Sequence, residues 1–258
     1  MIDHSCKYIY GPVYSWRLGL SLGIDPISNS RKVCNLDCIY CQLGKTPEFE
    51  TQRKEFVSTR DLLGEINAFP EARVDYLTFS GRGEPTLAKN LGEMIRALRQ
   101  TREERIAVIT NATLLDQDDV QKDLSGADCV LLKLDACSPR TFQRIDQSAP
   151  GINFWRMVGG IIKFRSLYKG KLALQIMLAE ANQKYAGEIA AIAREIHPDE
   201  VQLNTPLRPS AVKPLSREEM ERLKSHFKGL PVISVYDAER KESEPLDCAA
   251  TIHRHGNF

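Results

Sequence analysis

Short apolar runs alternate with helix-spaced apolar stripes over residues 18–206, and this alternation restricts the chain to a mostly parallel sheet covered by helices. Residues 18–25, 74–80, 105–110, 128–135, 172–178 and 200–205 read as six strands. Leu62, Leu63 and Ile66 make a helix stripe behind Ser58 or Thr59 as cap, and Leu91, Met94, Ile95 and Leu98 make a second. Further helices are expected over 117–124, from Ser138-Pro139, over 153–167 and over 185–196. Beyond them Ser216-x-x-Glu219 is a capping box before Met220, Leu223 and Phe227, and 232–236 reads as one more strand. Residues from Arg240 onward are polar and give no clear element. The expectation is one domain spanning 1–258, with a core of about 18–206 and a C-terminal extension of about 207–258.

The strands carry a second pattern. Residues two apart share a face of a strand. Tyr76, Thr78 and Ser80 fall together, as do Lys133 and Asp135, Gln175 and Met177, and Gln202 and Asn204, while their alternates are apolar. A closed barrel filled by its own side chains wants apolar residues on both faces. A sheet whose inner face turns polar near the strand ends instead curls around a polar cavity, with helices outside. Sites on such sheets lie at the carboxyl ends of the strands.

Seven cysteines are present, and three of them crowd into the segment Cys34-Asn-Leu-Asp-Cys38-Ile-Tyr-Cys41. Such thiolates can curl around one [4Fe–4S] cube, which normally takes four cysteines, so three leave one iron open to a ligand. Other readings compete. Positions i, i+4 and i+7 share a helix face, yet Asn35 and Asp37 are poor helix formers and Gly44 follows closely. Structural zinc needs a fourth ligand in a matching pair, and His4, His197, His226, His253 and His255 are scattered. A plain electron-transfer cluster needs a fourth cysteine in pattern. Cys6, Cys129, Cys137 and Cys248 lie apart from the triad; Cys137 could be a ligand or a small buried residue, and Cys6 and Cys248 could meet near the termini.

C-x3-C-x2-C with Tyr40 before the last cysteine resembles the radical S-adenosylmethionine superfamily. Ser80-Gly81-Arg82-Gly83-Glu84-Pro85, at the end of the second strand, resembles that superfamily's Gly-Gly-Glu-Pro motif, with Arg82 standing between the glycines. The resemblance implies a partial (β/α)6 barrel of parallel strands, a [4Fe–4S] cluster on Cys34, Cys38 and Cys41, and S-adenosylmethionine as cofactor. Gly81, Gly83 and Glu84 would meet the cofactor's amino group, and glycine independently permits a close backbone approach. By the same similarity Tyr40, Asn111, Asp135, Gln175 and Asn204 fall among the cofactor contacts, and Lys133 or Arg208 would pair with its carboxylate. The activity implied is reductive cleavage of S-adenosylmethionine to a 5′-deoxyadenosyl radical, acting on an unidentified substrate. The rival is a non-catalytic iron–sulfur or zinc protein. A one-electron donor such as flavodoxin or ferredoxin is the implied partner.

More narrowly, Tyr10-Gly-Pro-Val-Tyr-Ser-Trp-Arg-Leu-Gly-Leu-Ser-Leu-Gly-Ile-Asp25 resembles a little-characterised subgroup loosely labelled as related to wyosine-base synthases. The Gly and Pro punctuation of this opening suits a hairpin or loop over the cluster mouth. The formal net charge of +1 gives no indication of a nucleic-acid partner, although a local basic patch is compatible with it. The N-terminal residues carry no apolar signal core and no run has the length of a membrane span, so a cytoplasmic protein is expected.

Overall fold

A computed structural model describes residues 6–68, 74–238 and 243–255. Its centre is one eight-stranded sheet with the strands in sequential order. β1 (Ile9–Ser15) and β2 (Gly19–Ile24) form an antiparallel hairpin. β3 (Tyr76–Phe79), β4 (Arg105–Thr110), β5 (Cys129–Lys133), β6 (Lys171–Met177), β7 (Glu200–Asn204) and β8 (Val232–Ser234) follow in parallel from β2. The expected barrel units are present. The opening segment is the hairpin alternative, and β8 extends the parallel run by one strand. β8 does not pair with β1, so the sheet is an open, curled half-barrel.

The connecting helices are α1 (Thr59–Ala68), α2 (Leu91–Thr101), α3 (Asp118–Leu124), α4 (Pro139–Ile145), α5 (Phe154–Leu167), α6 (Ala186–Ile196) and α7 (Arg217–Lys224). Local chemistry starts several of them. Ser138 Oγ accepts from Thr141 N with Pro139 at the first helical position, and Ser216 and Glu219 form the reciprocal capping box. The outer face of the sheet is apolar: Leu22, Ile24, Leu77, Phe79, Ile106, Val108, Val130, Leu132, Leu172, Leu174, Ile176, Val201 and Leu203 are all buried against the helices. Each large side chain buried this way contributes about 1.5–3 kcal/mol.

The inner face differs from the expectation in its lower half. Leu18, Ala107, Cys129, Leu131 and Ala173 form a small apolar floor, with Tyr76 and Ile109 against it. Toward the carboxyl ends of the strands this face becomes more polar, with Thr78, Lys133, Gln175 and Asn204. The physical reason is the taper of a curled sheet: side chains meet at the narrow end and exclude water there.

The cysteine segment is a loop between β2 and α1, not a helix. It is strapped to the end of β3 by backbone alone. Val33 N donates to Arg82 O at 3.0 Å and Glu84 N donates to Val33 O at 3.0 Å. Gly83 lies flat on this strap; a Cβ there would sit 1.8 Å from the Val33 carbonyl oxygen. Gly81 has φ +126°, and its missing Cβ leaves room for the Asp25 carboxylate. The other side of the loop is held by the end of α4 and the residues after it. Asp37 N donates to Asp146 O at 3.0 Å, Ile39 N to Ile145 O at 3.0 Å, and Ala149 N to Asn35 O at 3.0 Å.

The polar C-terminal segment, unreadable from periodicity, forms α8 (Cys248–His255); Arg240 itself lies outside the described residues. A helix this short is held by tertiary contacts rather than propensity. Asp247 caps it, its Oδ1 accepting from Ala250 N at 2.8 Å. Gly11 N donates to Thr251 Oγ1 at 2.9 Å, Leu246 N to Gly11 O at 2.6 Å, and Arg254 Nε stands 3.3 Å from Asp25 Oδ2. The segment thus covers the outer edge of β1, an exposed row of backbone groups that would otherwise invite pairing. At its end His255 O accepts from Gln42 Nε2 at 2.5 Å and from Arg208 Nη1 at 2.9 Å, and His255 Nε2 meets Arg208 Nη2 at 2.7 Å.

Two predictions follow from these contacts. Gly83→Ala forces the Val33 strap apart and costs about 2–4 kcal/mol, the loss of two backbone hydrogen bonds with their buried groups left unpaired. Gly64→Ala, on exposed α1 with nothing within 4 Å of its missing Cβ, is neutral or stabilises by up to about 1 kcal/mol; thermal melts of the two variants read the difference. The second concerns His255, whose pKa burial, then Arg208 and Arg17, push down to about 3. The unfolded chain therefore binds more protons than the folded one from about pH 3 up to the ordinary imidazole pKa of about 6.5, so this group's stability is full above that window and is lost as pH falls through it. Tm of the native chain should drop more steeply from pH 7 to pH 5 than Tm of His255→Gln; parallel slopes would show that His255 is not the responsible group.

Candidate active site

Cys34, Cys38 and Cys41 are free of disulfides and stand above the carboxyl ends of the parallel strands. Cys34 is buried. Leu36 N donates to its sulfur at 3.4 Å and Asn111 Nδ2 at 3.7 Å. The Lys133 ammonium reaches the Cys38 sulfur at 3.5 Å. Burial pushes the Cys34 thiol up to about 11 and the Cys38 thiol well above its ordinary value. Such thiols ionise when a metal takes them, and the N–H and ammonium donors around them favour the thiolate form.

Three thiols in one loop are the donor chemistry that an iron–sulfur cluster takes. Among the described residues no three His, Cys, Asp or Glu side chains are drawn together as a preformed site for a single metal ion.

Around Cys38 lies a buried ionic network. The Tyr40 hydroxyl donates to Asp135 Oδ2 and, at 3.2 Å, to Asp146 Oδ1. Lys133 Nζ is 3.5 Å from Asp135 Oδ2 and sits 4.5 Å over the Tyr40 ring. Asp135 Oδ1 also accepts from Met177 N at 2.5 Å. Burial raises both carboxyls, Asp146 to about 7, with Asp135 the next largest influence on it. One lysine faces two acids and a sulfur, so the group holds together as a unit rather than as separate pairs.

Glu84 occupies a different setting. Its carboxylate is turned into the wall, accepting from Thr86 N at 3.0 Å, Thr86 Oγ1 at 2.7 Å, Thr110 Oγ1 at 2.5 Å and Asn111 N at 2.7 Å. It joins the turn after β3 to the end of β4 and leaves the backbone of Gly81-Arg82-Gly83 as the part of the motif beside the cysteine loop. Arg82, the residue between the glycines, donates from Nη1 to His253 O at 3.1 Å and so anchors α8. Asn111 bridges onward: its Nδ2 donates to Asn35 Oδ1 at 2.7 Å, and its Oδ1 accepts from Thr113.

The structure thus brings Tyr40, Asn111, Asp135, Lys133 and the glycine turn together with the cysteine loop. Gln175 lies on the same inner face as the register partner of Lys133 on the next strand, and Asn204 lies one strand further, on β7, paired with Met177. Gln175 is half-buried and makes no side-chain hydrogen bond among the described residues. Asn204 Oδ1 accepts from its neighbour Thr205 N at 2.9 Å. Arg208 is spent on Gln42 and His255 rather than on Lys133's network. Cys137 is a small buried residue whose thiol donates to Glu188 Oε2 at 3.2 Å, and Cys129 belongs to the apolar floor. Cys6 and Cys248 are not joined.

Sequence reasoning missed Asp146, Asn35, Gln42 and Asp25. Asp25 carried a legible sign, a carboxylate ending an apolar strand. Asp146 carried none, because its role comes from a loop 108 residues away from Cys38.

Comparison with known proteins agrees with this geometry. The family model of the Radical SAM superfamily matches residues 29–180, more than half of the chain. The UPF0026 protein slr1464 of Synechocystis sp. is 42% identical over 211 residues, covering 81% of this chain and 78% of that protein. SuiB of Streptococcus suis superposes with a TM-score of 0.63 at 15% identity over 91% of this chain, which spans only about half, 51%, of SuiB. Archaeal TYW1 shares the fold with a TM-score of 0.56 over 89% of this chain and 78% of that one, but at 13% identity, so the wyosine label carries no more than architecture. Among the described residues no helix is long and apolar enough to cross a membrane. The half-barrel, the cysteine loop and these likenesses place the chain in the radical SAM superfamily, among its UPF0026 proteins.

Proposed function

We propose that Cys34, Cys38 and Cys41 hold a [4Fe–4S] cluster whose remaining iron takes S-adenosylmethionine, and that the chain cleaves this cofactor reductively to act on its substrate. The observation that carries the reading is the cysteine loop itself: three unpaired cysteines strapped between the end of β3 and the residues after α4, with nitrogen donors on Cys34 and Cys38. Bound together, cluster and S-adenosylmethionine supply one-electron cleavage of a sulfonium bond, giving methionine and a 5′-deoxyadenosyl radical that takes a hydrogen atom.

The chain's own residues bind and orient. The Gly81–Gly83 turn offers backbone carbonyl groups to the cofactor's amino group, and its missing Cβ atoms let that turn pack on Asp25 and the Val33 strap beside the cysteine loop. Lys133, held between Asp135 and Cys38, is the cation for the cofactor's carboxylate, and Arg208 is left to another task. Asp135 and Asn111 take the ribose and methionine portions, with Tyr40 keeping Asp135 oriented. Gln175 and Asn204 line the space above the apolar floor. A flavodoxin or ferredoxin supplies the electron. Lys133 donating to Cys38 also places a positive charge beside the cluster, which favours its reduced form.

Anaerobic reconstitution tests this. The native chain should turn brown with about four irons and release 5′-deoxyadenosine with dithionite and S-adenosylmethionine. Replacing Cys34, Cys38 and Cys41 by Ala together should take both iron and product to background. Lys133→Met should keep its iron and raise KM for S-adenosylmethionine roughly 10–100-fold, the worth of one charge-assisted hydrogen bond. A colourless, zinc-loaded native protein would refute the proposal, and so would equal iron in native and triple-variant chains.

A further inference from the structure

The carboxylate of Asp25 is wholly buried just past the end of β2, and it serves two elements at once. Its Oδ1 accepts from Ile27 N at 3.2 Å and from Ser28 N at 3.0 Å, which fixes the chain that leaves the strand. Its Oδ2 accepts from Arg82 N, inside the glycine turn, at 3.3 Å and stands 3.3 Å from Arg254 Nε of α8. The side chain packs directly on that turn: a Cβ on Gly81 would come 2.5 Å from Asp25 Cγ.

α8 grips the same turn at a second point, where Arg82 Nη1 donates to His253 O at 3.1 Å. Arg254 is itself buried, and its Nη2 donates to Ser28 Oγ at 3.1 Å and to Lys7 O. Its guanidinium is thereby held among the exit of β2, the N-terminal segment and α8. One residue on, His255 O accepts from Gln42 Nε2, beside Cys41. The last turn of α8 therefore touches both halves of the site, the glycine turn and the cysteine loop.

A buried carboxylate keeps its place only while donors and a cation answer it, and removing one partner of such a pair strands the other. α8 is short and held by tertiary contacts, so it opens locally at a smaller cost than the sheet. When it opens, Asp25 loses its cation and Arg82 loses its acceptor, and the turn between them is freed. We infer that Asp25 and Arg254 are positioning residues for the Gly81–Gly83 turn, and that docking of α8 and binding of S-adenosylmethionine reinforce one another through them. Neither side chain touches the cofactor; both act on the backbone that receives it. Such linkage is reciprocal: the factor by which undocking α8 weakens the cofactor is the factor by which the cofactor holds α8 closed. That the ligand is S-adenosylmethionine rests on the function proposed above; the tie between α8 and the turn does not.

The test reads hydrogen exchange by mass spectrometry on the anaerobic, cluster-loaded full chain, with no reductant present, so that S-adenosylmethionine binds without turnover. In the native chain, saturating S-adenosylmethionine should slow exchange in α8 about tenfold or more. Arg254→Met should weaken the cofactor about tenfold or more by calorimetry, raise its KM with kcat kept, and abolish the protection of α8. With no cofactor present, the same variant should quicken exchange at Val33 and Glu84 in the strap. Arg254→Lys should keep part of the binding. Asp25→Asn combined with Arg254→Met removes both charges together, so it should fold with a Tm near the native one yet bind the cofactor as weakly as Arg254→Met; this variant decides the matter if Arg254→Met does not fold. A helix that merely completes the fold would lower Tm in these variants and leave cofactor affinity and the protection of α8 unmoved, and that result overturns the inference. Protection of the native chain confined to the turn and the cysteine loop overturns it too, and leaves the cofactor reading standing. A native chain that binds no S-adenosylmethionine while Arg254→Met still loosens the strap refutes the cofactor reading and leaves the tie between α8 and the turn in place. Absence of both refutes both.

Discussion

The backbone strap between Val33 and the Arg82–Glu84 turn is the contact on which the site depends. It fixes a cysteine loop, which has no regular secondary structure of its own, to the end of a strand that does. Two glycines make it possible for different reasons. Gly83 permits contact at a distance no side chain tolerates, and Gly81 adopts a φ that leaves room for Asp25. Glu84 then locks the turn from behind with hydrogen bonds to Thr86, Thr110 and Asn111. The motif therefore joins two tasks, an internal carboxylate latch and an open backbone edge, and only the second faces the cysteines.

A second support comes from the end of α4 and the residues just after it, whose carbonyls accept from Ile39 and Asp37. Its Asp146 completes the network of Tyr40, Asp135, Lys133 and Cys38. Tyr40, Asp135 and Asp146 are buried and Lys133 and Cys38 half-buried, so the two carboxyls draw on the one ammonium beside them. This shared balance explains why Lys133 is held so firmly beside a sulfur: its ammonium is the single cation answering two carboxyls there.

The C-terminal helix belongs to the same design. It covers the free edge of β1, receives Arg82 from the glycine turn, and hands His255 to Arg208 and Gln42. An edge strand, a motif residue and the residue after Cys41 are tied by one eight-residue helix. Through it the fold's open side and the mouth of the site are stabilised together.

The alternation of apolar runs and helix stripes was enough to derive seven of the parallel and hairpin strands and the outer core, because period and capping are local properties. Cysteine spacing located the candidate loop for the same reason: three cysteines within eight residues need no tertiary fold to be neighbours. The polarity of Lys133, Asp135, Gln175 and Asn204 likewise announced which face was inward. What remained hidden was set by contacts distant in sequence. Asp146 meets Cys38 across 108 residues and Arg82 meets His253 across 171. α8 has too few apolar residues to announce itself and exists because β1 and Asp25 receive it. Glu84 could be placed beside the cysteines by its motif, yet the direction of its carboxylate depended on Thr110 at the end of another strand. Whether a buried charge is answered or left open is a property of the assembled fold, since it depends on what every neighbouring element brings to that point.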